Sequence, residues 1–233
     1  MPGGPVKEAS SRRGPGRAGE AGYNPGVAFI TFEGIEGSGK STQLRLTAAR
    51  LGDGAVVTQE PGGTAIGRAL RQVLLDPASQ GMTPTAELLL YFADRAQHVA
   101  EVVRPGLQAG RTVLCDRYVE SSLAYQGWGR GLSRKAILSL AELATGGLRP
   151  DLIVLLDLPV EEGLARVGRR GAHDRLEAEE EAFHQRVREG YLELMTAEPE
   201  RWLRLDATAE ADAVFDGLWE ALVARKLVGE GVA

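Results

Sequence analysis

Nine residues near the start of the chain, Gly34 to Thr42 in the order G-I-E-G-S-G-K-S-T, restrict its fold more than any other stretch. They match G-x-x-x-x-G-K-[S/T], and they lie between the apolar run Val27-Ala28-Phe29-Ile30-Thr31-Phe32 and a helical-looking segment, Gln43 to Leu51. A strand, a glycine loop and a helix in that order separate a phosphate-binding loop from a chance glycine turn. Gly34, Gly37 and Gly39 reach backbone angles closed to other residues, so successive N–H groups can turn onto one anion. The start of the helix adds unpaired N–H groups and the positive end of its dipole. Ile35, Glu36 and Ser38 complete the loop. Lys40 brings a charge for β- and γ-phosphates, and Ser41, ahead of Thr42, brings a hydroxyl for Mg²⁺. The loop reads as the seat of a nucleoside triphosphate.

With 233 residues the chain suits one α/β domain with a full core. A net charge of -5 argues against a nucleic-acid or anionic-membrane partner, while a few placed arginines still suffice for phosphate ligands. The single cysteine, Cys115, excludes an internal disulfide framework and suits a reducing cytoplasm. Its place at the end of an apolar run reads as a buried small hydrophobe. No run approaches the eighteen or so apolar residues of a membrane helix. Residues 1–25, rich in Gly, Pro, Ser and Arg, read as a disordered tail without the apolar centre of a signal peptide. The domain is expected over residues 26–230.

A second strand is expected at Ala55–Thr58, running into Q-E-P-G-G-T (Gln59 to Thr64), where Pro61 and two glycines force a turn. Such a loop at the carboxyl end of a parallel strand is a place for ligands. Thr64 caps a helix through about Leu75 that carries Arg68 and Arg71, either surface charges or, for Arg71, a cation facing the phosphates. Thr83 and Pro84 open a helix expected to end before Arg104-Pro105. On it Tyr91 and Arg95 share a face, which suits either a nucleobase site or a core aromatic beside a surface arginine. A third strand, Thr112–Cys115, ends in Asp116-Arg117-Tyr118, where the carboxylate can hold Mg²⁺ or simply pair with arginine. The polar, glycine-broken stretch Ser121 to Gly131 reads as a pocket wall. Ser133 caps a helix to about Thr145, stopped by Gly146-Gly147. A fourth strand is read at Asp151–Asp157 and a helix at Val160–Arg170, with Arg166, Arg169 and Arg170 on one face. After Gly171-Ala172-His173 a charged helix is expected from Arg175 to Thr196. The arginines beside the break suit a mobile lid, at about 161–178, or a salt-bridged surface helix. A fifth strand at Arg201–Leu205 and a helix at Ala209–Val228 close the chain. Five strands alternating with helices predict a three-layer P-loop NTPase fold with a parallel sheet. His98, His173 and His184 show no ligand spacing.

Together these motifs resemble the thymidylate kinases of bacterial type, within the nucleoside-monophosphate kinases, from Val27 to about Leu227. The resemblance rests on F-E-G-I-E-G-S-G-K-S-T (32–42), E-P-G-G-T (60–64), L-L-L-Y-F-A-D-R (88–95), D-R-Y (116–118), A-Y-Q-G-W-G-R-G (124–131) and R-V-G-R-R-G-A-H-D-R (166–175). It implies transfer of the ATP γ-phosphoryl to dTMP, giving dTDP, with Mg²⁺ held by Ser41 and Asp116, partly through water. It also implies a homodimer. Tyr91, where phenylalanine is usual, matches the thymine-stacking residue. Arg95 and Ser122 match residues that hydrogen-bond the base. Tyr125 matches the tyrosine against the deoxyribose. Arg117 matches the grip on the dTMP phosphate, and Glu36 an acid near substrate and ion. Glu60, Pro61, Arg71, Ser121 and Gln126 complete the expected dTMP site. Lys40, Glu36, Asp116, Arg117, Arg166, Arg169 and Arg170 are the expected catalytic set, the lid arginines supplying the cation that the bacterial loop lacks. Two departures stand out. Gln59 replaces an arginine common in the family, with Arg71 as the candidate to compensate, and Trp128 is bulkier than the usual residue.

A related kinase for another nucleotide and a P-loop switch without phosphoryl transfer are the competing readings. Tyr125 and E-P-G-G-T argue against the first. The guanine-reading N-K-x-D of a GTPase is absent from the sequence.

Overall fold

Five short strands, rich in β-branched and apolar residues, form the frame: β1 Phe29–Glu33, β2 Ala55–Gln59, β3 Thr112–Asp116, β4 Leu152–Asp157 and β5 Trp202–Asp206. In the computed structural model, which describes residues 26–169 and 174–228, they make one parallel sheet in the order β2-β3-β1-β4-β5. The expected tail over residues 1–25, Arg170 and the break at 171–173 lie outside the described residues. β1 and β4 are buried along their whole length, as strands covered on both faces must be. Ile30, Phe32, Leu152, Val154 and Leu156 join the larger core, while Phe29, Val113 and Cys115 point into a second one with Val99, Val103 and Tyr118. From β1 the chain moves outward to β2, returns through β3, and then crosses to β4. The carboxyl ends of β1, β3 and β4 therefore flank a crevice where the strand order reverses.

The helices are α1 Lys40–Leu51, α2 Ala65–Leu75, α3 Pro84–His98, α4 Arg104–Gln108, α5 Val119–Ser122, α6 Arg134–Thr145, α7 Val160–Gly168, α8 Glu181–Ala197 and α9 Ala211–Ala224. Three begin at the expected caps: Thr64 accepts from Gly67 N, Thr83 from Ala86 N and Ser133 from Ala136 N. Each such bond stabilises its helix by about 1 kcal/mol. Gly146, left-handed at φ 57°, ends α6 as expected.

Three expectations need correction. The helix begun at Pro84 does not stop at Arg104-Pro105. It passes through a π-helical stretch, Val99–Val103, into α4, where Pro105 sits in a first turn that needs no N–H from it. Ser121 to Gly131 supplies a pocket wall as expected, but it is not broken at its glycines: α5 and a π-helical stretch, Leu123–Gly129, carry it. Its glycines allow close packing: a Cβ on Gly129 would fall 2.6 Å from the Phe183 ring. The charged helix starts at Glu181 rather than Arg175, since Arg175 turns its N–H to Leu75 O and its Nε to Leu74 O. Asp174 Oδ1 then accepts from Leu176 N and Glu177 N, closing a turn in place of a helix. Smaller shifts occur at β4, which starts at Leu152, at β5, which starts at Trp202, and at α9, which covers Ala211–Ala224.

Candidate active site

The glycine loop leaves β1 and enters α1 as the motif requires. Gly34, Gly37 and Gly39 have φ of 137°, 75° and 89°, and Gly39 caps α1 in the left-handed region. Gly37 also rests on α7: a Cβ there would lie 2.3 Å from Gly163 O. Lys40 is buried, and its Nζ donates to Gly34 O (3.1 Å), Ile35 O (2.9 Å) and Ser38 Oγ (3.3 Å). Burial first, then Arg117, lowers its pKa to about 8, against the attraction of Asp116, Glu36 and Glu33. Thr42 N and Gln43 N bond back to Gly39 O as the first turn of α1 forms. Ser41 Oγ lies 3.5 Å from Asp116 Oδ2, and Asp116 Oδ1 is buried without a hydrogen-bond partner. Among the described residues no group of three or more His, Cys, Asp or Glu could hold a metal. Two protein oxygens beside a phosphate loop fit Mg²⁺, which keeps several waters and takes its other ligands from phosphates.

Arg117 joins this loop to a second pocket. Its Nη2 donates to Glu36 Oε1 (2.9 Å) and to Tyr125 Oη (2.9 Å), and its guanidinium lies 4.7 Å from the centre of the Tyr125 ring. Tyr125 Oη donates to the same Glu36 oxygen at 2.6 Å. His184 Nδ1 stands 3.3 Å from the other oxygen, Oε2. Burial alone would raise the Glu36 pKa, yet His184, Arg117, Lys40 and the Tyr125 hydroxyl together hold it well below the carboxylate range.

The second pocket is lined by Glu60, Tyr91, Arg95, Arg117, Ser121, Ser122, Tyr125, Gln126 and Leu176, with a cavity of about 30 Å³. Eight of these nine were expected from the sequence, although α3, α5, the π-helical stretch and the loops that follow β2 and β3 bring them from separate places. Arg95 is buried and fully oriented: Nε donates to Glu60 Oε2 (2.7 Å), Nη1 to Ser122 Oγ (3.0 Å) and Nη2 to Tyr118 O (2.8 Å). A guanidinium has five donors, so two remain for a ligand. Both Glu60 oxygens are engaged, since Oε1 meets His98 Nδ1 at 2.7 Å, and Thr58 Oγ1 meets His98 Nε2 at 2.6 Å. Glu60 therefore acts here by fixing Arg95. Gln126 turns its amide nitrogen to Glu87, at 2.9 Å. Pro61 and Arg71 do not line the pocket. Arg71 Nη1 donates to Pro61 O at 2.8 Å, which lays its cation along the loop beside Gln59. Trp128 faces away from this second pocket. Its ring packs on Gly190 and under Arg134, beside a larger cavity of about 550 Å³ that shares no lining residue with the first.

Of the lid arginines, Arg166 reaches the loop, with Nη1 donating to Ala207 O (3.0 Å) and, at 3.4 Å, to Gly37 O. Arg169 is exposed just past the end of α7. Several partners carried no local signal in the sequence. Glu87 on α3 binds Arg130, Gln126 and Arg175, and this mooring puts Leu176 into the pocket wall. Asp94 Oδ1 accepts from Gly62 N at 3.0 Å and so steadies the E-P-G-G-T loop. Tyr191 and Glu33 lie behind Arg117. Only Glu33 could have been suspected, because it is the last strand residue before the loop.

A family profile described as thymidylate kinase matches residues 32–217. The thymidylate kinase of Deinococcus radiodurans is 54% identical over 200 residues, covering 84% of this chain and 97% of the relative. That of Trichlorobacter lovleyi is 50% identical over 209 residues, covering 86% and 99%. The crystal structure of thymidylate kinase from Ehrlichia chaffeensis superposes with a TM-score of 0.70 at 31% identity, covering 85% of this chain and all of that one. A phosphate loop, a second pocket joined to it by one arginine, and agreement over nearly the whole domain lead to one conclusion: the chain belongs to the thymidylate kinase family, whose reaction is ATP-dependent phosphorylation of dTMP to dTDP.

Proposed function

We propose that this chain carries out that reaction with ATP along Gly34–Thr42 and dTMP in the pocket between α3 and the Leu123–Gly129 stretch. Tyr91 stacks on thymine, Arg95 and Ser122 read its edge, and Tyr125 lies against the deoxyribose. Arg117 receives the monophosphate, with Arg71 as a further cation beside the E-P-G-G-T loop. The observation that carries this reading is Arg117, hydrogen-bonded at once to Glu36 in the phosphate loop and to Tyr125 in the base pocket. It stands where two nucleotides would meet end to end.

A dTMP phosphate oxygen attacks the γ-phosphorus in line. The new P–O bond forms as the bond to the β-phosphate oxygen breaks, and ADP leaves with that electron pair. The nucleophile is already ionised at neutral pH, so the chain needs no strong general base. It must instead oppose the repulsion of two polyanions and hold them aligned. Lys40, Arg117 and the expected lid arginines Arg166, Arg169 and Arg170 supply the positive charge, and the loop N–H groups fix the geometry. Ser41 and Asp116 would hold Mg²⁺, which would supply positive charge against the phosphates.

A cytoplasmic homodimer completes the proposal. Ile66 and Val73 on α2, Leu89 on α3 and Leu138 on α6 are half-exposed apolar side chains on three helices packed side by side, a surface suited to a second copy. Among the described residues no helix is long and apolar enough to cross a membrane. The test is a coupled assay of ADP release with dTMP, dUMP, UMP and dAMP as competing acceptors. Preference for dTMP is expected, and absence of dTDP in the presence of ATP and Mg²⁺ refutes the reading.

A further inference from the structure

Glu33 closes β1 and precedes the phosphate loop, and the reaction as described gives it no task. Its side chain is fully buried, and a carboxylate in such a place needs partners. It has three. Tyr118 N donates to Oε1 at 2.8 Å, while Ser121 Oγ and Tyr191 Oη donate to Oε2 at 2.5 and 2.9 Å. Two of those donors also accept from one cation, since Arg117 Nη1 lies 3.2 Å from both Ser121 Oγ and Tyr191 Oη. The third belongs to the residue that follows Arg117. Arg117 itself has φ of 71°, a left-handed conformation that a non-glycine residue keeps only where its surroundings hold it. Its own N–H bonds to Phe32 O at 3.0 Å. The backbone is thus pinned on both sides of the strained residue.

We propose that Glu33 is the positioning residue for Arg117, holding its left-handed turn through Tyr118 N and aiming its guanidinium through Ser121 and Tyr191. This rests on the reading that Arg117 receives the dTMP phosphate. An ionised carboxylate only accepts, so all three donors can face it, whereas a protonated acid or an amide brings a fourth donor among them. The charged and titratable groups facing Glu33 are Arg117, Glu120 of α5, Tyr191 of α8 and Lys40 of α1. Burial first, then Glu120, raises its pKa to about 7, while Ser121, Arg117 and Tyr191 act the other way. Loss of positioning therefore sets in on the acid side of neutrality.

The experiment compares Glu33→Gln, Tyr191→Phe and Arg117→Ala with the wild type in steady-state kinetics across pH, folding being checked by thermal unfolding. Glu33→Gln is expected to raise the KM for dTMP about ten-fold near pH 8, with the KM for ATP little changed. Tyr191→Phe removes one bond that keeps Glu33 ionised, so the acid limb of kcat/KM for dTMP should move to higher pH. The ionisation of dTMP itself cannot produce that movement. If Glu33→Gln does not fold, the shift in Tyr191→Phe alone decides the matter. Should Arg117→Ala raise the dTMP KM while the folded Glu33 and Tyr191 variants keep the wild-type KM and limb, the positioning role is wrong. Should Arg117→Ala also leave that KM unchanged, the phosphate-gripping reading fails, and this inference falls with it.

Discussion

Alanine at Gly37 tests whether the phosphate loop is held by its backbone angles or by its seat on α7. Two glycines of the loop share the left-handed region and differ in surroundings. At Gly39, with φ of 89°, an added Cβ meets nothing within 4 Å. At Gly37, with φ of 75°, it would lie 2.3 Å from Gly163 O, a backbone atom of α7 that cannot swing aside. The left-handed conformation costs an L-residue about 1–2 kcal/mol, so Gly39→Ala should lose about that much stability. Gly37→Ala adds an overlap of the kind that costs about 1–3 kcal/mol, for a total of roughly 2–5 kcal/mol. In a domain of this size each kcal/mol moves Tm by about 2–4 °C. The expected drops are roughly 2–8 °C for Gly39→Ala and 4–20 °C for Gly37→Ala, measured calorimetrically without nucleotide. Gly163→Ala provides the reciprocal control. Alanine within a helix normally gains about 1 kcal/mol over glycine, yet here its Cβ would stand 2.7 Å from Glu36 O. A Gly37→Ala protein that melts with Gly39→Ala, or a Gly163→Ala protein that gains stability, refutes the idea that the loop is seated on α7.

Tyr91→Ala should raise the KM for dTMP by the worth of one base stack, about 1–3 kcal/mol, and leave the KM for ATP alone; an unchanged dTMP KM removes Tyr91 from the base site. Arg166→Ala should lower kcat far more than it raises the KM for ATP, by about 10³-fold or more as for a transition-state arginine, and single-turnover rates measure this directly. Stability should also report Glu33. Its folded pKa of about 7 exceeds the usual 4.5, so between those values the folded chain holds more protons than the unfolded one. The contribution of Glu33 is most favourable below 4.5 and is lost as pH rises through 7. Denaturant unfolding of wild type against Glu33→Gln should therefore show a difference that moves in favour of wild type on acidification, and a difference flat with pH contradicts the assignment.

Much of the site was legible because its parts sit at strand ends beside short motifs. Gly34–Thr42, Glu60–Thr64 and Asp116-Arg117 each follow a strand, and parallel topology gathers those ends in one crevice. The errors arose where a residue's usual local meaning gave way to packing. Gly127 and Gly129 looked like breakers, but they lie in a helical stretch that needs room for Ile137 and Phe183. Pro105 looked like a stop, but a π-helical stretch delivers it to the first turn of α4. Glu60 and Gln126 line the second pocket as expected, but the partners that hold their side chains, Arg95 and His98 for Glu60 and Glu87 for Gln126, stand 35 to 39 residues away and carried no local signal. Tyr191 and His184 reach the site from α8 with no motif to announce them. Long-range pairing of this kind leaves no period in a sequence.

Glu87, Tyr91 and Arg95 follow one another at steps of four along α3, and each meets a different part of the substrate enclosure. Glu87 ties down the Arg175–Leu176 segment, Tyr91 lines the second pocket, and Arg95 stands at the far end with Glu60 and Ser122. At 1.5 Å per residue the outer two are about 12 Å apart along the axis. A helix hardly stretches, so α3 serves as a gauge bar that sets the depth of the enclosure. A bulkier acceptor cannot be admitted by drawing those two ends apart. Room for it has to come from sideways travel of the Leu176 segment or from a smaller side chain at position 91.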